Sequence, residues 1–276
     1  MILVIGSKGL VSAAIQQQYV NQRMAVVPGD IAKTWVTSNA VGNISEYVNS
    51  LPFRPSRIIN CAGLTDPKLP KQMLGDANFE LPKNLLKFSQ ETEIDLITFG
   101  SIMENNPEIC KENSYLMSKK MYFEYLRQSA NGKSRQTHVQ LHTLYGGKKI
   151  HPHMFLGQML RAIQEGNDFK MTDGLQLREY HHIDDDIQAL DRILGTKKGG
   201  IIEIAHGEKL TLRTIAEHVF SEFKMMSQLK LGELPNPEVE QYVLGVNELP
   251  RKPVTGFRSS LKGITEHLRE LLGKHN

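Results

Sequence analysis

Tyr115 and Lys119 stand four residues apart in Tyr115-Leu116-Met117-Ser118-Lys119, so a helix would carry both on one face. A phenol ionising near pH ~10 is a poor acid–base group at neutral pH. A neighbouring ammonium stabilises the phenolate and brings its pKa toward the working range. The pair alone arises often by chance; its position gives it weight. It follows an apolar run that ends Thr98-Phe99-Gly100-Ser101, which puts Ser101 at the carboxyl end of a strand. A hydroxyl there can hold the substrate oxygen that Tyr115 protonates, with Thr98 as a rival for that place.

A second constellation lies at the N-terminus. Gly6-Ser7-Lys8-Gly9-Leu10-Val11-Ser12 joins the apolar run Ile2–Ile5 to a helical pattern from Leu10 to Gln22. A residue without Cβ turns sharply at Gly6, and Gly9 lets a pyrophosphate approach the backbone N–H groups of the helix N-terminus. The third small residue is Ser12 where dinucleotide sites usually carry glycine. Asp30 follows the second strand, where a carboxylate accepts ribose hydroxyls and favours NAD. Lys8, inside the loop, suits a 2′-phosphate and favours NADP. The two signals conflict, and the coenzyme is left as NADP or NAD, with NADP slightly ahead.

These groups need a frame that brings distant stretches together. Short apolar runs at Ile2–Ile5, Ala25–Val27, 57–62, Ile94–Phe99 and Val139–Leu141 alternate with helical patterns at Leu10–Gln22, Ile44–Leu51, Phe79–Ser89 and Tyr115–Gln128, the last capped by Ser114. Continuously apolar strands separated by helices predict a parallel sheet covered on both faces, an α/β Rossmann-like doubly wound fold. Beyond residue 147 the pattern loosens. Helices are expected at His153–Gln164, Asp184–Leu194, Thr211–Phe223 and Leu261–Leu272. Strands are expected at Phe169–Met171, Leu175–Tyr180 and Gly200–Ala205, and Pro235, Pro237, Pro250 and Pro253 break the remainder. The predicted division is a dinucleotide-binding domain over 1–147, completed by about 182–205, with 148–181 and 206–276 as a small, mostly C-terminal substrate-binding lobe.

Taken together, the chain resembles an extended short-chain dehydrogenase/reductase of the NAD-dependent epimerase/dehydratase superfamily. The resemblance is carried by the Gly6/Gly9 loop, Asn60-Cys61-Ala62-Gly63, Ser101, Tyr115/Lys119, Leu144-Tyr145-Gly146 and the run from Arg178 to Asp185, Arg-Glu-Tyr-His-His-Ile-Asp-Asp. It covers residues 1 to about 205. Within the superfamily the chain is similar to reductases of nucleotide-linked 4-keto-6-deoxyhexoses, of the dTDP-4-dehydrorhamnose reductase and CDP-abequose synthase type. The segment Arg54–Ala62 carries the first likeness and the tail from Leu231 to Leu272 the second.

That resemblance implies roles. Gly6, Gly9, Leu10 and Val11 would hold a pyrophosphate; Cys61, Ala62 and Gly63 would line the adenosine side; Lys119 would bond the nicotinamide ribose. Tyr115 becomes the proton donor and Ser101 the carbonyl anchor, with Asn78, Thr143 and Arg178 as sugar or nucleotide contacts. The implied partner is a nucleotide-sugar substrate in deoxysugar or surface-polysaccharide biosynthesis, and the implied assembly a homodimer. Gln140 departs from the arginine usual before the fifth-strand Tyr-Gly, and the segment from Ser101 to Tyr115 is short. A 4,6-dehydratase needs an Asp-Glu pair beside the Ser/Thr; Ile102-Met103 stand there instead. A 4-epimerase uses the same Ser/Tyr/Lys set and stays open, as does a non-catalytic NAD(P)-binding sensor or scaffold.

Composition narrows the remaining classes. The 276 residues are 40% hydrophobic, enough for a sizeable core, and 33 basic against 30 acidic residues leave a formal charge of +3 without any Lys/Arg block of the kind that tracks nucleic acid. The run Met1–Ile5 is too short for a signal peptide or a membrane span. Two cysteines, Cys61 and Cys110, make no disulfide framework and suit a cytoplasmic protein, the first as a small buried residue and the second as a loop thiol. His151, His153 and the run His181-His182-Ile183-Asp184-Asp185-Asp186 contain metal-ligand types, yet the spacing completes no tetrahedral set and the aspartates suit a helix start. No metal is expected. Lys148-Lys149 reads as a solvated loop, and Met225-Met226 with Phe220 and Phe223 as lobe core.

Overall fold

The computed structural model describes residues 1–129, 135–196, 199–236 and 256–273. Pro237, Pro250 and Pro253, read above as helix breakers, lie outside the described residues, as does part of the tail from Leu231. The chain divides into two units, one of Met1–Leu141 and Ile187–Ile204, the other of His142–Asp186 and the described parts of 205–244 and 251–276. This division falls earlier than residue 147.

In the first unit, apolar runs rich in β-branched residues form a six-stranded sheet in the order Met24–Val27, Ile2–Ile5, Arg57–Asn60, Asp95–Ser101, Gln136–Leu141 and Gly200–Glu203. Every neighbouring pair is parallel. The order reverses at Ile2–Ile5, so the connections leaving that strand and Arg57–Asn60 depart in opposite directions, the usual place for a nucleotide. Leu3, Ile5, Ile58 and Leu96 of the sheet share a core with Trp35, Ile44, Leu85, Leu86, Phe88 and Tyr122. Near-complete burial on parallel strands explains why those runs show no alternation.

Several boundaries differ from the sequence reading for local reasons. After the strand Met24–Val27, Pro28-Gly29 opens a short helix, Gly29–Lys33, ahead of the expected helix at Ile44–Leu51. Asp76–Glu80 is a wide π-type turn ahead of the helix Leu81–Thr92. The cap of Ser114–Gln128 is Asn113, whose Oδ1 accepts the Leu116 N–H at 3.1 Å; Ser114 is the first helical residue. Cys110 is no loop thiol: it is buried in the helix Pro107–Glu112, which the sequence pattern did not reveal.

The second unit holds a three-stranded sheet in which Leu177–His182 pairs antiparallel with Lys209–Thr211 and parallel with Thr143–Tyr145. The pairing of Thr143–Tyr145 explains the early division. Leu175, expected at the start of that strand, is exposed and precedes it. Helices Phe155–Glu165, Leu212–Glu222 and Ser260–Gly273 contribute Met159, Phe220 and Leu268 to a second core around Phe169. Met226, read as core, is exposed. Among the described residues no helix is long and apolar enough to cross a membrane.

Leu85 is fully buried in the first core. Leu85→Ala is expected to lower unfolding free energy by about 2–5 kcal/mol in denaturant titrations. Val20→Ala, at a position 69% exposed, should stay within roughly 0.5 kcal/mol of wild type.

Candidate active site

Gly6 leaves the first strand with φ +86, and a Cβ there would lie 2.6 Å from the Ala62 backbone nitrogen and 2.9 Å from the Cys61 carbonyl carbon. The glycine is thus required by the approach of one loop to another. Gly9 differs: a Cβ built there meets nothing within 4 Å. It caps the helix Leu10–Gln18 without any side-chain hydrogen bond and without an acidic residue in the first turn. The first turn thus has N–H groups with no side-chain cap and open space beside Gly9, which is what an anion requires. Ser12 is fully buried and its Oγ accepts Gln16 Nε2 at 3.0 Å, so a small residue at this position serves packing. Lys8 and Asp30 are both exposed. Burial pushes the Cys61 thiol up to about 12, which makes it a poor nucleophile.

The loop after the third strand leads from this turn to the chemical groups. Gly63 leaves room beside Lys119, whose Nζ would be 3.5 Å from a Cβ at that position. Lys119 Nζ donates to the Phe99 carbonyl at 2.8 Å, two residues before Ser101 on the same strand. Asn78 is buried with its amide engaged: Nδ2 donates to Leu64 O at 2.8 Å and Ser118 Oγ at 3.0 Å, while Oδ1 accepts Leu64 N at 3.0 Å. It ties the loop to the Tyr115 helix, which gives this candidate substrate contact a structural role.

Ser101 ends its strand and caps a 3₁₀ turn, its Oγ accepting Met103 N at 3.2 Å. Its rival is committed elsewhere: the buried Thr98 hydroxyl lies 2.8 Å from His138 Nδ1. Burial raises the Tyr115 phenol above its ordinary range, and the charge of Glu104 adds to the effect. Burial lowers the Lys119 ammonium, and Glu104 opposes that. Glu104 Oε2 also accepts the Ser101 N–H at 3.2 Å. One carboxylate therefore links all three predicted groups, and sequence reasoning passed over it. The signal was present, because Ser101-x-x-Glu104 is the spacing of a capping box.

Thr143 and Arg178 belong to the second unit. Thr143 pairs with Tyr180 at the start of a strand. Arg178 Nη1 donates to the Leu177 carbonyl at 2.7 Å, and burial lowers its guanidinium from its ordinary value. Neighbouring residues form a buried electrostatic cluster. His181 Nδ1 lies 2.7 Å from Asp186 Oδ1 and its Nε2 3.0 Å from Glu179 Oε1, all three side chains being buried. Asp185 pairs with Arg258 at 2.8 Å. The aspartates read as helix-start residues do stand in the first turn of the helix Ile183–Gly195, and Asp185 and Asp186 are ion-pair partners as well. Glu179, His181 and His206 are the described residues whose ligand-type atoms crowd within 4.8 Å of one another. Both ring nitrogens of His181 already face carboxylates, the arrangement of an imidazolium between two anions.

The family follows from sequence and geometry together. The model of the NAD dependent epimerase/dehydratase family matches residues 2–205. The chain belongs to that family. No curated protein matches it in sequence. Among solved structures it is similar to the Bordetella bronchiseptica enzyme WbmG in complex with NAD and UDP, with a TM-score of 0.73 at 15% identity over 98% of this chain and 94% of that one. The dTDP-4-dehydrorhamnose reductase of Yersinia enterocolitica gives a TM-score of 0.75 at 14% identity over 98% and 99%. The UDP-glucose 4-epimerase of Thermus thermophilus in complex with NAD gives 0.72 at 17% identity over 99% of each. At these identities the likeness is one of fold. The sheet and its parallel order are the family's Rossmann-like α/β architecture.

Burial lowers the His181 pKa, but its bonds and charge contacts with Asp186 and Glu179 outweigh this and raise it to about 9. A base whose pKa is higher in the folded state contributes stability that is complete below its unfolded value near 6.5 and is lost as pH rises through about 9. Unfolding free energy measured in denaturant should therefore fall between those limits, by on the order of 3 kcal/mol. His181→Asn should remove that alkaline loss, and a wild-type profile flat across the interval contradicts the ion-pair assignment.

Proposed function

We propose that this chain is an NAD(P)H-dependent reductase acting on the C4 ketone of a nucleotide-linked 4-keto-6-deoxy sugar, in deoxysugar or surface-polysaccharide biosynthesis. The observation that carries the reading is the seat of Lys119, its Nζ on the Phe99 carbonyl two residues from Ser101 and beside the Gly63 loop. The Tyr115 phenol, held protonated by burial, is suited to give its proton to a developing alkoxide. Ser101 Oγ would anchor the carbonyl oxygen, and Lys119 would bond a ribose and stabilise the phenolate left after transfer. Among relatives of the same fold, WbmG is described with NAD and UDP and the Thermus epimerase with NAD.

The residues at the first glycine turn fit a dinucleotide on the structure's own terms. The uncapped helix start at Gly9, Leu10 and Val11 offers N–H groups to a pyrophosphate, and the space above Gly9 is open. Cys61, Ala62 and Gly63 would line the adenosine side. When bound, the reduced nicotinamide supplies the hydride. Lys8 within the loop supports NADP and Asp30 supports NAD, both being exposed and available; we take NADP as the first choice. Exposed Met73, Met117 and Met121, the last two on the Tyr115 helix, support a homodimer through this surface. A cytoplasmic location is part of the same proposal.

A panel of 4-keto-6-deoxy sugar nucleotides mixed with protein and NADPH, followed at the reduced-nicotinamide absorbance, tests the reaction. Oxidation with one member supports reduction. Conversion of a sugar nucleotide at C4 without net oxidation would make the protein an epimerase, and inertness toward every member would leave a nucleotide-binding sensor. Tyr115→Phe should cut turnover by roughly 10²-fold or more, the contribution of a general acid, and leave coenzyme affinity within about threefold. Full activity in that variant removes Tyr115 as proton donor. For the coenzyme, Lys8→Ala should weaken NADPH binding in calorimetry more than NADH binding; equal losses would return the choice to NAD.

A further inference from the structure

Glu104 has no accessible surface, and its carboxylate bonds to residues of the two neighbouring strands Asp95–Ser101 and Gln136–Leu141. Oε2 accepts the Ser101 N–H at 3.2 Å. Oε1 lies 2.9 Å from His138 Nε2 and accepts Gln140 Nε2 at 2.9 Å. Gln140 is held in turn by Asn105, each amide donating to the other at 3.0 and 3.1 Å. On the far side of the imidazole, His138 Nδ1 meets the Thr98 hydroxyl at 2.8 Å. The arrangement also explains a glycine. A Cβ at Gly100 would overlap both the Glu104 carboxylate and the His138 ring, so the strand is bare where the carboxylate crosses it.

We propose that Glu104 is a positioning residue of the catalytic centre: it fixes Ser101 through the backbone and supplies the negative charge that Tyr115 and Lys119 face. This rests on the roles given to those three residues above. The charged and titratable groups that meet Glu104 come from three elements. His138 lies on the adjoining strand, Tyr115, Lys119 and Tyr122 on the helix Ser114–Gln128, and Cys110 on the helix Pro107–Glu112, its thiol 3.6 Å from the Glu104 carbonyl. Lys119 is the cation of the set. A buried ammonium is disfavoured, and an anion in its surroundings restores it. The same anion opposes loss of the Tyr115 proton, so the carboxylate serves proton donation through Lys119, kept as the cation that stabilises the phenolate formed on transfer, and through its hold on Ser101.

Two variants separate the charge from the tether. Glu104→Gln removes the charge and is expected to lower the Lys119 ammonium midpoint by about one pH unit. The midpoint is read from the ¹³Cε resonances of labelled protein, with Lys119→Arg assigning the signal. No coenzyme or substrate is needed. In turnover with the substrate found above, the limb of the pH–rate profile that belongs to Tyr115 should move to lower pH by a similar amount. Glu104→Asp keeps the charge but shortens the reach to Ser101. Its Lys119 midpoint should stay at the wild-type value while kcat falls roughly tenfold and KM changes little, the mark of an interaction lost in the transition state. A Lys119 midpoint unmoved by Glu104→Gln in folded protein overturns the proposal, whether or not a substrate is known. Should Glu104→Gln fail to fold, an undiminished kcat in Glu104→Asp overturns it instead. A shifted midpoint in a protein inert toward every sugar nucleotide counts against the reductase reading alone and leaves the charge assignment standing.

Discussion

A half-buried ammonium is the constraint on which the site depends. Burial works against the charged form of Lys119, so the fold must supply what water would have given. It does so with the Phe99 carbonyl at 2.8 Å and with the charge of Glu104. Meeting that need recruits a strand, a loop and a helix. The strand must present its Phe99 carbonyl, the loop must pass close by at Gly63, where a Cβ would press on Asn78 Oδ1 at 3.0 Å, and the helix must be pinned by Asn78 through Ser118. Buried polar groups that are fully partnered specify one arrangement, because any slip leaves a group unmatched at a cost of about 1–3 kcal/mol.

Bare backbone recurs for different reasons along the parallel sheet. Gly6 is bare because the next loop lies against it, Gly100 because a carboxylate and an imidazole cross it, and Gly9 faces open space. Two of these are packing requirements and the third leaves room at an uncapped helix start. A motif of spaced glycines contains both kinds, and the distinction shows which position a ligand could use. In the second unit the same economy of charge appears around His181, where two buried carboxylates share one imidazolium and the backbone N–H groups of His206 and Gly207 also donate to Glu179 Oε1. Burial would raise the Glu179 carboxyl; the His181 bond, the His142 charge and those N–H groups hold it well below the usual carboxylate range.

Much of this was legible in the residues. Continuous apolar runs on parallel strands, helical spacing between them, and the order of the glycine turn, Ser101 and Tyr115/Lys119 all follow from local rules, since each depends on neighbours a few positions away. Their reading predicted the Rossmann-like sheet and singled out the groups proposed above to carry the chemistry. The short strand Thr143–Tyr145 was missed because three residues carry too little periodicity, and Cys110 was misplaced because a proline start, here Pro107, hides a short helix. Sequence spacing marked Asp184–Asp186 as helix-start residues, and they occupy the first turn of the helix Ile183–Gly195; what spacing could not show is that two of them also meet partners distant along the chain or across the turn.

What the amino-acid order alone determined was type and sequence: which segments are strands, which helices, and which side chains could act. Only the tertiary structure decided pairing. Glu104 and His138 are 34 positions apart, and nothing in either neighbourhood announces the other. Asn78 looks available until its amide is found closed between Leu64 and Ser118. The reason is physical: periodicity and capping are set by contacts within a turn or two, while burial of a charge is settled by whatever the fold brings against it.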